Sequence, residues 1–485
     1  MKPYLVSAFP LALALSACSV GPDFTTPDPP ATKTYTSEKE VLSPERRAAL
    51  GQHMEAEWWT LFASNTLNTL IHQAVSDNYD IAAARETLAQ AEAAVQAQSG
   101  SLMPQASLDA LAGRQKYGVA LFGPSNFFIP PFTYYEAGPS LSWTVDLFGG
   151  GQRRVERQKA LAEFQGHELD AMYVALTGNV VSQAIQLAAI NTEISTLERI
   201  LVADEKILAL VQAAFEAGSA TRMDILSAQN RLTTDRALLP SLKQRFNLNY
   251  HTLSVLVGKA PADWAPPNLD FKQLALPEIL PVSLPSELVR KRPDIMAAEA
   301  NLHAASANIG VATANLYPSF TLSANMFQEA LTPSRIFYGT SNAWALAGGV
   351  TAPIFNGGML SAEKREAEHA FQASLAEYRQ TVVQAFSQVA DALTALAHDA
   401  EMIDALKAGV DTAQASLDLA QKSYEAGNTG LLQIETAQRE LAQAEWRLVE
   451  AQSQQRLDMT QLFVALGGSP LRSASMTSTP GEHRG

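Results

Sequence analysis

"NYDIAAARETLAQAEAAVQAQSGSLMPQASLDA" runs from Asn78 to Ala110, and "RPDIMAAEANLHAASANIGVATANLYPSFTLSA" runs from Arg292 to Ala324. Laid over one another, they match Asp80 with Asp294, Leu88 with Leu302, Leu102 with Leu316, Pro104 with Pro318 and Leu108 with Leu322, at a constant offset of 214. Three more blocks repeat in the same order. "LFGGG" from Leu147 answers "IFNGG" from Ile354 at an offset of 207. "FEAGSATRMDILSAQN" from Phe215 answers "YEAGNTGLLQIETAQR" from Tyr424, and "LSVLVG" from Leu253 answers "LFVALG" from Leu462, both at 209. The chain is a tandem duplication of about 200 residues, far longer than a solenoid repeat.

Each copy follows one plan. A short helix ends before a proline, two strand-like stretches follow, and a Gly pair or triplet closes the hairpin. Then come a very long helix, a Gly-centred turn and a return helix. From Tyr134 to Val145, the residues Tyr135, Ala137, Pro139, Leu141, Trp143 and Val145 alternate with a more polar set. From Ser319, the residues Phe320, Leu322, Ala324 and Met326 do the same. A period of two gives one apolar and one polar face. Gln105 to Arg114 and Trp344 to Ala352 are the weaker partner strands. Phe127, Phe128, Phe132, Tyr134, Tyr135, Phe337, Tyr338 and Trp344 cluster at the hairpin ends, as an interfacial girdle requires. A soluble sandwich with one wet face would show the same alternation. Four strands cannot close a membrane barrel of eight or more, so a barrel here needs several chains.

No proline lies between Gly151 and Gly218 or between Gly358 and Gly427. Either stretch suffices for a helix of about 100 Å. From Phe371 to Tyr424, apolar residues recur at alternating spacings of three and four. The step from Val389 to Leu393 is an extra four, a stutter that locally relaxes a left-handed supercoil, and an extra three from Ile403 to Leu406 offsets it. A long soluble coiled coil would read alike; the strand hairpin at one end of each helix pair favours the membrane reading.

The 485 residues carry a formal net charge of −14, which argues against a nucleic-acid partner. Cys18 is the single cysteine, so there is no disulfide framework and no Cys-based metal site. Lys2, the apolar run from Tyr4 to Leu15 and the small residues Ser16 and Ala17 read as a secretory signal peptide over 1–17. "LSAC" resembles a bacterial lipobox, which implies N-palmitoyl and S-diacylglycerol groups on Cys18 after cleavage; an incidental cysteine behind an ordinary signal peptide is the alternative. Ser19 in place of aspartate resembles the outer-membrane sorting of Gram-negative lipoproteins. No later stretch holds about 20 uninterrupted apolar residues, so no transmembrane helix is expected. HExxH, GxSxG and P-loop lysine motifs are absent, and the eight histidines are scattered, so neither enzyme, cofactor nor metal is indicated. Gly149-Gly150-Gly151 before a helix looks like a phosphate cradle, but its counterpart Gly357-Gly358 favours a strand-to-helix joint.

From Cys18 to Gly468 the chain resembles the outer-membrane efflux protein family, of the TolC and OprM type, in its lipoprotein branch. The resemblance rests on "CSVGPDF" at 18–24, Trp58-Trp59, the "NYDI" and "RPDI" helix starts, "LFGGGQRR" at 147–154 and the two "EAG" turns at 216–218 and 425–427. It implies an α+β membrane protein: a long α-helical periplasmic barrel plus a 12-stranded transmembrane β-barrel shared by a homotrimer. The expected layout is a lipidated extended segment at 18–57, a first repeat at 58–270 with its hairpin near 105–145, and a second at 271–468 with its hairpin near 319–353. A disordered tail is expected at 469–485. The tips fall near Gly218 and Gly427. The resemblance also implies a tip gate with charged bridges. Arg222 and Asp224 stand at the first tip, whereas the corresponding Thr429, Gln433 and Thr436 are uncharged, which puts the usual acidic ring in doubt. Arg222 and Asp224 are equally read as a helix cap. Leu431 and Leu432 would form an apolar constriction. Asp294, in the first turn of its helix, is read as serving the helix dipole.

Implied partners are a periplasmic adaptor, an inner-membrane resistance-nodulation-division pump and outer-membrane lipid, making the chain a passive exit duct for drugs or other small toxic solutes. Alternatives are a type I secretion duct of the same fold and a periplasmic coiled-coil lipoprotein that conducts nothing.

Overall fold

The computed structural model describes residues 19–32, 34–36, 48–50, 57–116, 130–277 and 280–467. The signal segment, Cys18, Phe127, Phe128, Gly468 and the tail at 469–485 lie outside the described residues. In chain order the strands are β1 (Ala48–Leu50), β2 (Gln105–Gln115), β3 (Phe132–Val145), β4 (Leu280–Val282), β5 (Ser319–Ala330) and β6 (Asn342–Thr351). The helices are α1 (Asn65–Asp77), α2 (Tyr79–Gly100), α3 (Gly150–Glu216), α4 (Arg222–Arg236), α5 (Leu238–Leu256), α6 (Pro285–Leu288), α7 (Pro293–Ala314), α8 (Met359–Glu425) and α9 (Leu431–Leu466). The chain divides into two units, each drawing on both copies of the duplication.

The first unit comprises residues 1–27, 87–165 and 298–378. Its centre is an antiparallel sheet in the order β2-β3-β5-β6. Register puts apolar residues on one face: Leu108 opposite Pro139, Leu141 opposite Ala324, Ala324 opposite Leu346, and Trp143 opposite Leu322. The other face carries Ser107 opposite Ser140 and Thr144 opposite Thr321. The period of two expected for β3 and β5 is therefore realised, and the weaker partners β2 and β6 keep the same sides. The apolar face lies open, with Leu108 81% and Leu346 76% exposed. Such a face suits lipid. Phe337 and Tyr338 lie exposed in the β5–β6 connection, next to Trp344 at the start of β6.

Where β3 enters α3, close packing explains the glycines. A Cβ on Gly150 would stand 2.7 Å from the Ala314 methyl, and one on Gly151 2.3 Å from a Leu102 methyl. The residues after Cys18 form a strap against this joint. Val20 N–H donates to the Phe148 carbonyl at 3.1 Å. The buried Arg153 guanidinium donates to the Val20 carbonyl and pairs with Asp23 at 2.7 Å and Glu156 at 2.8 Å. Phe24 stacks on His303 at 4.5 Å. Gly21 has φ +97°, and a side chain there would strike the Gly310 backbone at 2.5 Å.

The second unit comprises residues 28–86, 166–297 and 379–485. Trp58, Trp59, Phe62 and Phe463 are fully buried, with the Trp58 and Phe463 rings 5.5 Å apart. The two copies are tied at equivalent points by different residues. Asn78 Nδ2 donates to the Leu256 carbonyl, and its Oδ1 accepts from Asp80 and Ile81 N–H, capping α2. Arg292 takes Asn78's place in the second copy and donates to the carbonyl of Ala465, the counterpart of Leu256. Arg292 also pairs with Asp294 at 2.8 Å and hydrogen-bonds Gln388. Asp294 thus holds this arginine besides standing in the first turn of α7.

The return arms differ between copies. The second is the single helix α9, whereas the first breaks at Ala237 into α4 and α5. Pro240 explains the break: it has no N–H, and its ring crowds the carbonyl four residues earlier. Val449 occupies the matching place in α9. By length and composition one window of α3 would cross a membrane, but 72% of that window is buried within the chain, as in a core helix.

Candidate functional site: the paired coil tips

The two tips lie in the second unit and are built alike. Gly218 has φ +77° and Gly427 φ +73°, and the N–H groups of Ser219 and Asn428 reach back to the carbonyls of Ala214 and Ser423. Behind the turns, Ile225 and Ala228 pack on Ile207 and Val211; at the repeat-related positions Ile434 and Ala437 pack on Leu417 and Ala420. Period and offset thus place the same apolar seam in both coils.

The polar residues of the two tips diverge. Asp224 accepts from the Thr221 N–H and hydroxyl, both at 2.7 Å, while Asp224 N–H donates to the Thr221 hydroxyl at 3.3 Å. This reciprocal box caps α4. Those hydrogen bonds hold the Asp224 carboxyl below the usual aspartate range. In the second tip Gly430 stands at the cap with no side-chain hydrogen bond, and Gln433 is exposed. Among the described residues Arg222 has no ion-pair partner. The Thr429 hydroxyl is buried without a hydrogen bond among the described residues, and that of Thr436 donates to the Leu432 carbonyl at 2.8 Å. Leu431 and Leu432 are 39% and 44% exposed, an apolar pair beside an uncapped turn.

Sequence reasoning missed a charge cluster further up the coils. Arg439 on α9 donates to Asp204 on α3 at 2.9 Å and to Asp235 on α4 at 2.5 Å. Asp204 is 1% exposed, and its second carboxylate oxygen has no hydrogen-bond partner among the described residues. Burial, with Asp235 alongside, pushes its pKa up to about 6 against the opposing pull of Arg439. Lys206 on α3 reaches the buried Glu435 on α9 at 3.5 Å. Together these pairs lace the arms of one copy to those of the other. A signal existed in the duplication itself: the counterparts of Arg439, Asp204 and Asp235 are Asn230, Ala413 and Ala444, all uncharged.

The family model for outer membrane efflux proteins matches residues 70–259 and 284–468, one stretch in each copy. The pyoverdine export outer membrane protein OpmQ of Pseudomonas putida is 31% identical over 482 residues, covering 96% of this chain and 97% of its own length. The solved outer-membrane channel OprN superposes with a TM-score of 0.83 at 28% identity, covering 93% of this chain and 99% of that one. The open-state MtrE channel of Neisseria gonorrhoeae gives 0.80 at 25% identity, covering 93% and 98%. The fold is that of trimeric outer-membrane channels, with a β-barrel shared between chains and a helical barrel. The chain belongs to the outer membrane efflux protein family, as an outer-membrane exit duct of an efflux system.

Proposed function

We propose that the mature protein is lipidated on Cys18 and that its trimer is a tip-gated, passive duct for small toxic solutes. A periplasmic adaptor docks it and an inner-membrane resistance-nodulation-division pump energises it. The observation that carries the reading is an apolar sheet face, with two edges unpaired among the described residues, in a chain of long paired helices. The strap supports the lipid anchor, because it seats Ser19, the residue that follows Cys18 in sequence, against the strand-to-helix joint. No catalytic residue or cofactor enters this function.

The closed end is formed by the tips: Arg222 and Asp224 from the first, Thr429, Leu431, Leu432, Gln433 and Thr436 from the second. The engagement of Asp224 in its cap favours the leucines as the narrowing, since apolar constrictions close by dewetting. Single-channel conductance of the lipidated protein, with its mass by light scattering, tests both layers. A small, stable conductance from a trimer is expected. Replacing Leu431 and Leu432 by serine raises it, whereas Asp224→Ala leaves it and its salt dependence unchanged. A non-conducting monomer overturns the duct, and a conductance that rises with Asp224→Ala alone overturns the apolar gate.

A further inference from the structure

The sheet ends on β2 at one side and β6 at the other, and neither outer edge has a neighbour among the described residues. The duplication says what each edge lacks. Inside the chain, the join between the two copies is β3 against β5, with Trp143 opposite Leu322 and Thr144 opposite Thr321. The glycine joint relates β3 to β6 by 207, and the Pro104–Pro318 match relates β5 to β2 by 214. Carried over by those offsets, the internal ladder becomes one between β6 of one chain and β2 of the next. It sets Val350 opposite Leu108, Thr351 opposite Ser107, and Trp344 opposite Arg114.

Independent features of the free chain fit this register. Val350 and Leu108 lie on the apolar face and are 62% and 81% exposed. Thr351 and Ser107 lie on the polar face, so every pair keeps its side; a slip of one residue would reverse all of them. Trp344 is 74% exposed, and an arginine opposite an indole is a favourable pairing at a membrane interface.

The joints make the same demand. In the first copy Phe148 stacks on Tyr317 at 4.7 Å and Gly150 abuts Ala314. The counterparts in the second copy are bare. Phe355 is 92% exposed and Ile354 97%, and Gly357 has nothing within 4 Å of a built Cβ. The counterparts of Tyr317 and Ala314 are Met103, 65% exposed, and Gly100, equally open. The strap covers only the first joint, through Ser19 at Gly149 and Val20 at Phe148.

We infer that a second copy of this chain completes both features in one fixed register: Val350 pairs with the partner's Leu108, and Phe355 packs on the partner's Met103. The inference rests on the shared-barrel fold and adds the residues by which one chain recognises the next. Opposed residues on neighbouring antiparallel strands have Cα atoms about 4.5–5.5 Å apart, within disulfide range. A slip of two residues moves them to diagonal positions, about 7–8 Å apart.

The test is oxidative cross-linking of the full-length lipidated protein carrying Leu108→Cys and Val350→Cys, with Ala110→Cys and Val350→Cys as the slipped pair. The same is done with Met103→Cys and Phe355→Cys. Light-scattering mass before oxidation reports assembly separately. The expected result is that the first and third pairs move most of the chain into covalent dimers and closed trimers on denaturing gels, while the slipped pair and each single variant do not. A trimer that cross-links best through the slipped pair overturns the register and leaves the shared barrel standing. A trimer with no cross-link at Met103 and Phe355 shows lipid covering that joint and overturns the second contact. A monomeric mass for the unmodified chain overturns the shared barrel itself.

Discussion

At the scale of single residues, Arg439 holds two aspartates with one guanidinium, and the balance is a buried negative charge. Asp204 has the higher stake, being 1% exposed with one oxygen unpartnered among the described residues. Because its pKa in the folded chain, about 6, exceeds the free aspartate value, the folded state keeps a proton that the unfolded state has already lost. Its contribution to stability is therefore full below about pH 4 and lost as pH rises through about 6. Asp204→Asn, neutral at every pH, is expected to flatten that dependence. Amide hydrogen exchange along α9 across this range measures it, and an unchanged slope would show that another group titrates. Arg439→Ala removes the cation and leaves both carboxylates behind. Breaking a buried pair in this way costs about 3–5 kcal/mol. The expected readout is faster proteolysis and faster amide exchange in α4 and α9 than in the parent chain.

At the scale of elements, most of the architecture was legible because it is local. Alternation marked β3 and β5, with β2 and β6 read only as their weaker partners, proline-free stretches marked α3 and α8, and glycines marked the turns and joints. What was not legible depends on chain segments meeting in space. Arg439 and Asp204 are 235 positions apart, and nothing near either reveals the other. The strap is similar: Gly21 is required by Gly310, which is remote in sequence. The break at Ala237 was within reach, since Pro240 is visible in the sequence, but the expectation of matched return helices masked it. The Asp224 side chain was read as either gate or cap, and its hydrogen bonds with Thr221 express the cap. Thr221→Ala is accordingly expected to cost about 1 kcal/mol of local stability. It would appear as faster exchange of the first-turn amides of α4, with the start of α9, which has no side-chain cap at Gly430, unaffected. Equal loss in both helices would mean that the tips open together instead of separately.

At the scale of the whole molecule, the sheet register decides what a solute meets inside the barrel. Apolar residues face lipid in such barrels and the polar face lines the lumen. The charged residues on that polar face are Asp109, Glu136 and Glu329, with Glu136 directly opposite Glu329 across the β3–β5 ladder. Like charges in that position are mildly destabilising. No lysine or arginine shares the face within the strands: Arg114, the single basic residue in β2, belongs to the opposite side with Leu108. Trimerisation multiplies the set around the pore, and the chain as a whole carries a net charge of −14. Fields of one sign in a low-dielectric passage concentrate counter-ions. The open channel is therefore expected to prefer cations, giving a reversal potential of the corresponding sign in a salt gradient. Replacing Glu136 and Glu329 by glutamine should move that potential toward zero while leaving the trimer mass intact, because relief of the opposed charges does not weaken the ladder. A preference for anions in the parent channel would mean that the polar face does not line the conducting path, and the inside and outside of the barrel would have to be exchanged.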